Sequence, residues 1–417
     1  MKKNTNIGFF IFFLGALFYC YEYFLRISPS VMQHQLMQSF LINATLFGTL
    51  SAFYFYSYTP MQFFVGLIVD KYDIRIIMII SIFCCTLGTF LIGNTHIYLL
   101  ASFGRFLQGI GSAFAFVGSL KLASIYLRYD KFANFTGIVT MLGFLGASIG
   151  TVFMENMVEK IGWRHTLHIF TALGFLLILA FFISIKSSYN KNFSITPNSE
   201  SFQESLKKFW LICKIKRLWF TGIYAGLMFL PTSVFAALWG IPYLEKLHFY
   251  SVHKSSIAVS MIFLGWSLGS LMIGILSDYL DKRVILLQIG SFVAFWIVLP
   301  ILYIQSMPYI IVCLMFFLFG AFSSVQILSF VIAKDISPYH SVGTSIAFVN
   351  AITMLGGMFF QRGLGEILDW SWSGKIVNKI PFYSLHDYKI AISVIPISVG
   401  LAFFISFLLK KDQKFIE

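Results

Sequence analysis

The chain has 417 residues, of which 58% are hydrophobic and only 11% are charged, and its mean hydropathy is +0.82. Soluble domains usually carry about 25% charged residues, so this composition excludes an ordinary water-soluble domain and predicts an integral membrane protein embedded in a lipid bilayer. The formal net charge of +13 would suggest a nucleic-acid partner in a soluble protein. In a membrane protein the same excess of Lys and Arg instead indicates how the chain is oriented, because basic residues collect on the cytoplasmic side. We therefore expect no nucleic-acid partner.

Long apolar runs follow one another along the whole chain. A helix needs about 20 apolar residues to cross a membrane, at about 1.5 Å of rise for each residue. Continuous apolarity favours helices over the strands of a barrel, which would show only a weak alternation. Twelve runs meet the length test and predict spans over 7–28, 45–69, 74–94, 97–127, 133–157, 165–187, 218–243, 255–279, 284–305, 308–334, 341–366 and 387–409.

One polar stretch, residues 188–216, interrupts this pattern between the sixth and seventh predicted spans. It divides the chain into an N-terminal six-helix bundle over 1–187, a cytoplasmic linker over 188–216 and a C-terminal six-helix bundle over 217–417. With the N-terminus inside, about 19 Lys and Arg lie on the cytoplasmic side and about 8 outside, and this bias predicts that both termini are cytoplasmic.

Two loops in equivalent places of the two halves share a pattern. A glycine, two aspartates and an arginine recur at one constant offset of about 208 residues, as expected for a transporter built from two related halves with its substrate site between them. We expect these loop charges to latch the halves together when the cytoplasmic side closes, although ordinary solvated loop charge is the alternative. The two loops read Gly66-Leu-Ile-Val-Asp70-Lys71-Tyr-Asp73-Ile-Arg75 and Gly274-Ile-Leu-Ser-Asp278-Tyr-Leu-Asp281-Lys282-Arg283.

Four charged residues lie well inside predicted spans, and all four are in the N-terminal half: Glu22, Arg26, Arg105 and Lys121. A charge inside a membrane is costly, so each is a candidate for function. The spacing i, i+3, i+4, i+7 places Tyr19, Glu22, Tyr23 and Arg26 on one face of the first helix.

Glu22 and Arg105 lie at similar depth, and we expect them to pair and to form the polar wall of a cavity with Tyr19 and Tyr23. In this hypothesis Arg105 holds a substrate carboxylate, while Glu22 binds a substrate ammonium group or carries a coupling proton. The alternative is a Glu22–Arg26 pair on the first helix, with Arg105 bracing neighbouring helices. Lys121 falls on another face of a straight fourth helix, where it would snorkel or pair at an inner gate.

The C-terminal half offers uncharged candidates for cavity lining, namely Tyr224, Trp239, Trp266, Gln326 and Asn350. The sequence contains no Gly-x-x-x-x-Gly-Lys-Ser/Thr phosphate loop, and its histidines and five cysteines show no metal-site spacing. We also find no Ser, His and Asp pattern typical of a nucleophile elbow. The sequence therefore predicts neither an enzyme nor a bound metal or cofactor.

The repeated loops resemble the Gly-x-x-x-Asp-Arg-x-Gly-Arg-Arg signature of the major facilitator superfamily, although Lys71 replaces its Arg and Asp73 its Gly. In the fourth span, Gly104-Arg105-Phe-Leu-Gln108-Gly109-Ile-Gly111 is similar to the Arg-x-x-Gln-Gly-x-Gly pattern of the same family. The resemblance implies an all-α membrane protein with twelve transmembrane helices in two pseudo-symmetric six-helix bundles. It also implies a monomer that carries a small-molecule substrate by alternating access.

The fifth span bears on the direction of transport. It carries Gly137, Gly146 and Gly150 at the spacing of the antiporter motif of this family, but Thr151 occupies the place of the Pro that should follow. This departure weakens an efflux reading, which stays open as an alternative within transport.

Three segments resemble bacterial carriers related to the lysosomal dipeptide transporter of animals: 21–32, 111–122 and 343–350. This resemblance implies secondary active transport, as proton-coupled symport or uniport, in a bacterial inner membrane. The solute is predicted from the charges in the spans: their paired opposite signs suggest a zwitterion such as an amino acid or a dipeptide, and an organic anion fits Arg105 and Lys121 nearly as well. A membrane receptor or sensor that keeps the fold without transporting is the alternative function.

Overall fold

The computed structural model describes residues 5–126, 132–184, 210–280, 282–337 and 342–409. Within these residues eleven helices are long and apolar enough to cross a membrane. A twelfth span is formed if the helices Gln33–Phe40 and Ala44–Gly66, bent by 109° at their junction, are taken together. The twelve spans predicted from the sequence agree with the count that includes this bent pair.

Six spans belong to the N-terminal half. They are Thr5–Val31, then Gln33–Phe40 with Ala44–Lys71, Ile74–Asn94, Tyr98–Ser112 with Ala115–Tyr126, Phe132–Ile161 and Trp163–Ser184. Polar side chains cap the N-terminal ends of two of the helices in these spans. Asn43 accepts a hydrogen bond from the backbone N–H of Leu46 at 3.0 Å, and Asp73 accepts one from the backbone N–H of Arg75 at 2.9 Å. The predicted linker 188–216 lies mostly outside the described residues.

The six spans of the C-terminal half are more often interrupted. They are Lys216–Leu230 with the π-helix Pro231–Trp239 and Gly240–His248, Val252–Leu280, Arg283–Tyr303, Tyr309–Ser323 with the 3-10 turn Ser324–Ile327 and Leu328–Asp335, Val342–Ser371, and Leu385–Ile392 with Val394–Ser406 and the 3-10 turn Phe407–Leu409. We number the spans one to twelve in chain order. The seventh and eleventh spans each continue about five residues beyond their predicted ends, which is more than the one or two residues by which helix assignments differ.

A small β-hairpin lies between the eleventh and twelfth spans, where the sequence predicted only a loop. Ile376–Val377 pairs antiparallel with Ile380–Pro381. The two residues between the strands, Asn378 and Lys379, have φ angles of 51° and 66°, as a tight hairpin turn requires.

The two halves meet chiefly along two pairs of spans, the second with the eleventh and the fifth with the eighth, and the first span also packs on the seventh. Glycines allow the first pair to pack at backbone distance. A Cβ atom on Gly48 would lie 2.3 Å from the carbonyl oxygen of Gln361, and one on Gly365 would lie 2.3 Å from the carbonyl oxygen of Ala44. Both contacts lie near the loops that follow odd-numbered spans. We call this side of the protein the odd-loop face; it includes residues 41–43, 249–251, 304–308 and 372–384.

The seventh span is the most central helix of the structure. In its most apolar window 94% of the residues are buried, against 33% in the corresponding window of the sixth span. The sixth span therefore presents a broad surface to lipid, whereas the seventh is enclosed by protein.

Candidate functional site

A buried ion pair lies at the centre of the N-terminal half. Arg26 Nε donates to Glu22 Oε1 at 2.9 Å, and Arg26 Nη2 contacts the same oxygen. Tyr54 from the second span also donates to Glu22 Oε1 and accepts from Arg26 Nε at 3.1 Å. Glu22 is 0% exposed and Arg26 is 5% exposed. The first and second spans are thus joined by a charge-assisted hydrogen-bond network.

Tyrosine rings surround the guanidinium group of Arg26. Its Cζ atom lies 4.6 Å from the ring centroid of Tyr23, 5.2 Å from that of Tyr58 and 5.3 Å from that of Tyr54. Aromatic faces attract a cation, and they do so more strongly where water is excluded. Tyr19 extends this cage, since its hydroxyl lies 3.5 Å from that of Tyr23.

Arg105 of the fourth span binds the backbone of the first span. Its Nη1 donates to the carbonyl oxygen of Leu25 at 2.8 Å, and its Nη2 donates to that of Arg26 at 3.4 Å. Pro29 explains the first of these bonds. Proline has no N–H, so the carbonyl four residues earlier, at Leu25, lacks its backbone donor within the helix. Two side chains replace that donor: Ser28 Oγ of the same helix, at 2.9 Å, and Arg105 Nη1.

Gln108 fixes the other side of Arg105. Its Oε1 accepts from Arg105 Nη1 at 2.8 Å, and its Nε2 donates to Thr89 Oγ1 at 2.9 Å. A buried polar chain therefore runs from the first span through the fourth to the third. Its side chains Arg105, Gln108 and Thr89 are each 2% exposed or less.

The expected Glu22–Arg105 pair is not what the structure shows. Glu22 pairs with Arg26 one helical turn away, because side chains at i and i+4 face each other on a helix. Arg105 is drawn instead to the carbonyl groups near Pro29. The alternative arrangement, a Glu22–Arg26 pair with Arg105 bracing two helices, is the observed one, and the proposed grip of Arg105 on a substrate carboxylate is not supported by its contacts.

We call Glu22, Arg26 and Arg105, with the tyrosines around them, the charged cluster. Two of its buried atoms lack a hydrogen-bond partner within the protein: Glu22 Oε2 and Arg105 Nε. A buried charged group that is only partly satisfied is costly, so the cluster has spare capacity for a proton, a water molecule or a polar solute.

Trp266 of the eighth span brings the C-terminal half against this cluster. It stacks on Phe144 of the fifth span with ring centroids 4.1 Å apart and an interplanar angle of 24°. Phe144 in turn lies 5.3 Å from the ring of Tyr23. An aromatic chain therefore connects the two halves, and the buried Nε1 of Trp266 lacks a protein partner.

Two other predicted residues of the C-terminal half also lie where the halves meet. Asn350 Nδ2 donates to Gln62 Oε1 of the second span at 3.1 Å. Trp239 donates from Nε1 to the carbonyl oxygen of Gln361 at 3.1 Å, and its ring packs edge-on against Phe47 of the second span. Trp239 is therefore a packing residue close to the odd-loop face.

Three predicted residues lie away from the charged cluster. Tyr224 donates to the carbonyl oxygen of Leu287 at 3.0 Å, within the C-terminal half. Gln326 is buried in the 3-10 turn of the tenth span. Lys121 is half-buried in Ala115–Tyr126, beyond a break in the fourth span, so the placement expected from a straight helix does not apply to it.

The arginines of the repeated loops contact their own halves. Arg75 Nη2 donates to the carbonyl oxygen of Phe182 at 2.6 Å, and Arg283 forms an ion pair with Asp335. On the side opposite the odd-loop face, both arginines are thus bound within their own halves. Among the described residues, no contact between these loops joins the two halves.

The remaining loop residues are open to their surroundings. A Cβ atom on Gly66 or Gly274 would meet nothing within 4 Å, and Lys71 and Asp278 are exposed. The side chain of Asp70 and the whole of Asp281 lie outside the described part of the chain.

Sequence reasoning missed Tyr54 and Thr89. Tyr54 and Tyr58 stand four residues apart in an apolar span, so a stripe of hydroxyl groups was there to be noticed. Thr89 gave no such signal, because a single threonine in an apolar span is common and often bonds its own helix. Among the described residues, no group of three or more His, Cys, Asp or Glu could hold a metal ion.

Comparisons with known proteins agree with this architecture. The sequence model described as Major Facilitator Superfamily matches residues 9–361. The probable sulfoacetate transporter SauU of Cupriavidus necator is 21% identical over 68% of this chain and 68% of its own. The lysosomal dipeptide transporter MFSD1 of Homo sapiens is 23% identical over 86% of this chain and 78% of its own.

A solved structure shows the same fold. A bacterial homolog of the human lysosomal transporter Spinster, in an inward-facing and unoccupied conformation, superposes with a TM-score of 0.75 at 15% identity. The match covers 97% of this chain and 95% of that one. The predicted all-α membrane fold with two six-helix bundles is confirmed.

Proposed function

The chain belongs to the Major Facilitator Superfamily, a family of transporters and not of enzymes, and on this premise we propose that it carries a small organic anion together with a proton. The alternating-access mechanism would move the anion through a cavity between the two halves. The observation that carries the proposal is the charge of the buried cluster.

The cluster holds one more positive than negative charge. Glu22 contributes one carboxylate, whereas Arg26 and Arg105 contribute two guanidinium groups, and all three are 5% exposed or less. An uncompensated charge inside a membrane protein is costly, and in transporters such charges mark substrate and ion pathways. An anion bound beside Arg26 would balance this charge, with tyrosine hydroxyls as further hydrogen-bond donors.

The position of the cluster also supports the proposal. Tyr58, which faces Arg26, lies one helical turn from Gln62, and Gln62 bonds Asn350 of the other half. On the other flank, Tyr23 packs on Phe144, which stacks on Trp266. The cluster therefore adjoins the boundary between the halves on two sides, as expected for the substrate site of a two-bundle transporter.

The names of relatives favour the same class of solute. Sulfoacetate, the solute in the name of the Cupriavidus relative, is a small organic anion. Dipeptides, named for the human relative, are zwitterions, and the paired opposite charges of Glu22 and Arg26 could hold such a molecule as well. The excess positive charge is what makes an anion the better fit.

Coupling to protons follows from the contacts of Glu22. While Glu22 is ionised, its carboxylate neutralises the charge of Arg26. A proton on Glu22 removes the negative charge of that ion pair. Arg26 is then left with an uncompensated charge that an anion can neutralise. Proton and anion would thus bind together: the proton adds one positive charge to the excess already in the cluster, and an anion with two negative charges would then balance the cluster in full.

The test uses purified full-length protein in liposomes that contain a pH-sensitive dye. Sulfonates, dicarboxylates, sugar acids, dipeptides and sugars are added one class at a time, and we expect acidification of the lumen with an organic anion. In Glu22→Gln the acidification should vanish, while exchange of labelled anion against unlabelled anion continues.

A matched control comes from the C-terminal half. Glu366 forms an i, i+4 pair with Arg362, but both side chains are about half exposed. Glu366→Gln should therefore leave acidification unchanged. Proton-driven uptake that persists in Glu22→Gln would overturn the assignment of the proton to Glu22, and uptake of sugars alone would overturn the anion proposal.

The remaining expectations belong to this proposal. We place both termini in the cytoplasm of a bacterial cell and the protein in its inner membrane, as a monomer, with the two bundles moving as units about the linker. Labelling of single introduced cysteines from either side of intact cells would test the orientation.

A further inference from the structure

We infer that the odd-loop face carries a proton-sensitive gate, formed by two histidine–carboxylate pairs that join the halves only while this face is closed. The gate is separate from the Glu22 cluster, and the inference does not depend on which solute is carried.

The first pair joins the fifth and eighth spans. His253 Nδ1 lies 2.7 Å from Glu155 Oε2. Glu155 is 3% exposed, whereas the histidine side chain is 44% exposed and open to protons from the solvent. A buried carboxylate is costly unless a charged partner compensates it, and only the protonated form of His253 provides that charge.

The second pair repeats this arrangement at the junction of the first two spans with the seventh. His34 Nε2 lies 3.5 Å from Glu245 Oε2, and the His34 side chain is 59% exposed. Both residues line a small cavity that also includes Val252, the residue next to His253. The two pairs are therefore neighbours on one face, and in each the histidine and the carboxylate come from different halves.

This face is closed in the structure. Thr45 of the second span donates both its N–H, at 2.9 Å, and its hydroxyl, at 2.5 Å, to Asp369 of the eleventh span. The backbone N–H of Ala44 donates to the hydroxyl of Tyr383 at 2.9 Å. Alternating access requires the halves to separate here, and that separation would pull each histidine away from its carboxylate.

Other charged groups near His253 have contacts of their own. On the eighth span, Lys254 Nζ lies 5.8 Å from the ring of Tyr309, which begins the tenth span. At the end of the seventh span, Lys246 lies over Phe382 and His248 contacts the carbonyl oxygen of Gln305 at 2.8 Å. At the end of the fifth span, Glu159 and Lys160 are exposed one turn beyond Glu155. Glu155 is thus the charged group in hydrogen-bonding contact with His253.

The direction of the effect follows from linkage. The charge of each histidine can meet its carboxylate only while the face is closed, so by linkage a protonated histidine favours the closed face over the open one. Histidine charge changes between about pH 5 and about pH 8. Acid on this side should hold the face closed, and a rise in pH should release it.

The experiment measures the distance between the halves by pulsed electron–electron spin resonance. Spin labels are placed at Leu41→Cys and Phe249→Cys, which are exposed positions on the two halves, after replacement of the five native cysteines. From about pH 5.5 to about pH 8 we expect the population with a long distance to grow about fivefold. In His253→Gln, and again in His34→Gln, this dependence on pH should weaken, and in the double variant it should vanish.

His165→Gln is the matched control, because this exposed histidine contacts a carbonyl oxygen of its own half, that of Ile161. It should keep the full dependence on pH. A distance distribution that does not change with pH in the parent protein would overturn the proposal. So would a double variant that responds to pH as the parent does.

Discussion

The two halves of the protein share a loop pattern, a helix count and a fold, but they differ in the charged side chains that are buried inside them. In the N-terminal half Glu22, Arg26 and Arg105 are buried inside the membrane region. In the described part of the C-terminal half the buried charged side chain is Asp387, and its carboxylate completes the capping box at the start of the twelfth span. One half therefore carries charge where a solute could meet it, and the other offers aromatic and amide groups.

Under the proposed function, this difference is a division of labour between related halves. The repeated loops, with Arg75 and Arg283 each bound within its own half, suit a movement that both halves must make. Recognition of a charged solute, in contrast, needs buried charges in only one of the two halves. A second set of buried charges would add to the cost of folding in the membrane without being required for binding.

The largest effect expected from breaking this asymmetry is that of Arg26→Gln. The variant would leave Glu22 buried without its ion-pair partner, a change that costs about 3–5 kcal/mol at buried pairs. We expect anion uptake into liposomes to fall at least about 100-fold. Arg362→Gln, which breaks the exposed i, i+4 pair of the C-terminal half, should change uptake little. Equal losses in the two variants would show that the buried charges have no special role.

A smaller effect is expected for the bracing role of Arg105. Arg105→Gln should lower the stability of the protein in detergent by about 1.5–3 kcal/mol, as for a lost hydrogen bond from a charged group. Pro29→Ala would restore an N–H to the Leu25 carbonyl, so the cost of Arg105→Gln should be smaller in that background. Thermal unfolding of the four proteins of this double-mutant cycle measures the coupling. If the two effects simply add, Arg105 does not act through this carbonyl.

The smallest effect concerns the contact between the halves at Trp266. Trp266→Ala removes the stack on Phe144, a type of contact worth about 0.5–1.5 kcal/mol beyond the buried area. We expect uptake to fall about tenfold, while Trp266→Phe keeps most of the activity. Should Trp266→Phe be as inactive as Trp266→Ala, the indole N–H would matter more than the stacking.

Much of the fold could be predicted because the bilayer limits the possible structures. Apolar runs of the right length predict spans whatever their detailed packing. The breaks inside spans could not be predicted in the same way. Pro231 does predict a disturbance where the π-helix Pro231–Trp239 begins. The extent of that π-helix, however, also involves contacts with other spans, such as the bond from Gln361 Nε2 to the carbonyl oxygen of Ser233 at 2.7 Å, and the break at 113–114 has no comparable signal.

The charged residues of the candidate site could be predicted from the sequence, but which of them form the ion pair could not. Periodicity placed Glu22 and Arg26 on one face of a helix, and their burial follows from their depth in the first span. The choice between Arg26 and Arg105 as the partner of Glu22 depended on the contact of Arg105 with the Leu25 carbonyl, whose backbone donor is missing because of Pro29. The spacing of the charged side chains does not reveal that contact. Glu155 was missed for a similar reason, because its partner His253 is close only in the folded structure.

The most direct test of the central claim measures binding by calorimetry. Sulfonates, dicarboxylates and sugar acids, together with zwitterionic dipeptides and neutral sugars, are titrated into the purified protein and into Arg26→Gln. The account predicts that an organic anion binds and that the variant binds it at least about 100-fold more weakly, in proportion to the lost charge. Tight binding of a dipeptide or a neutral sugar, with an affinity that Arg26→Gln leaves unchanged, would contradict it.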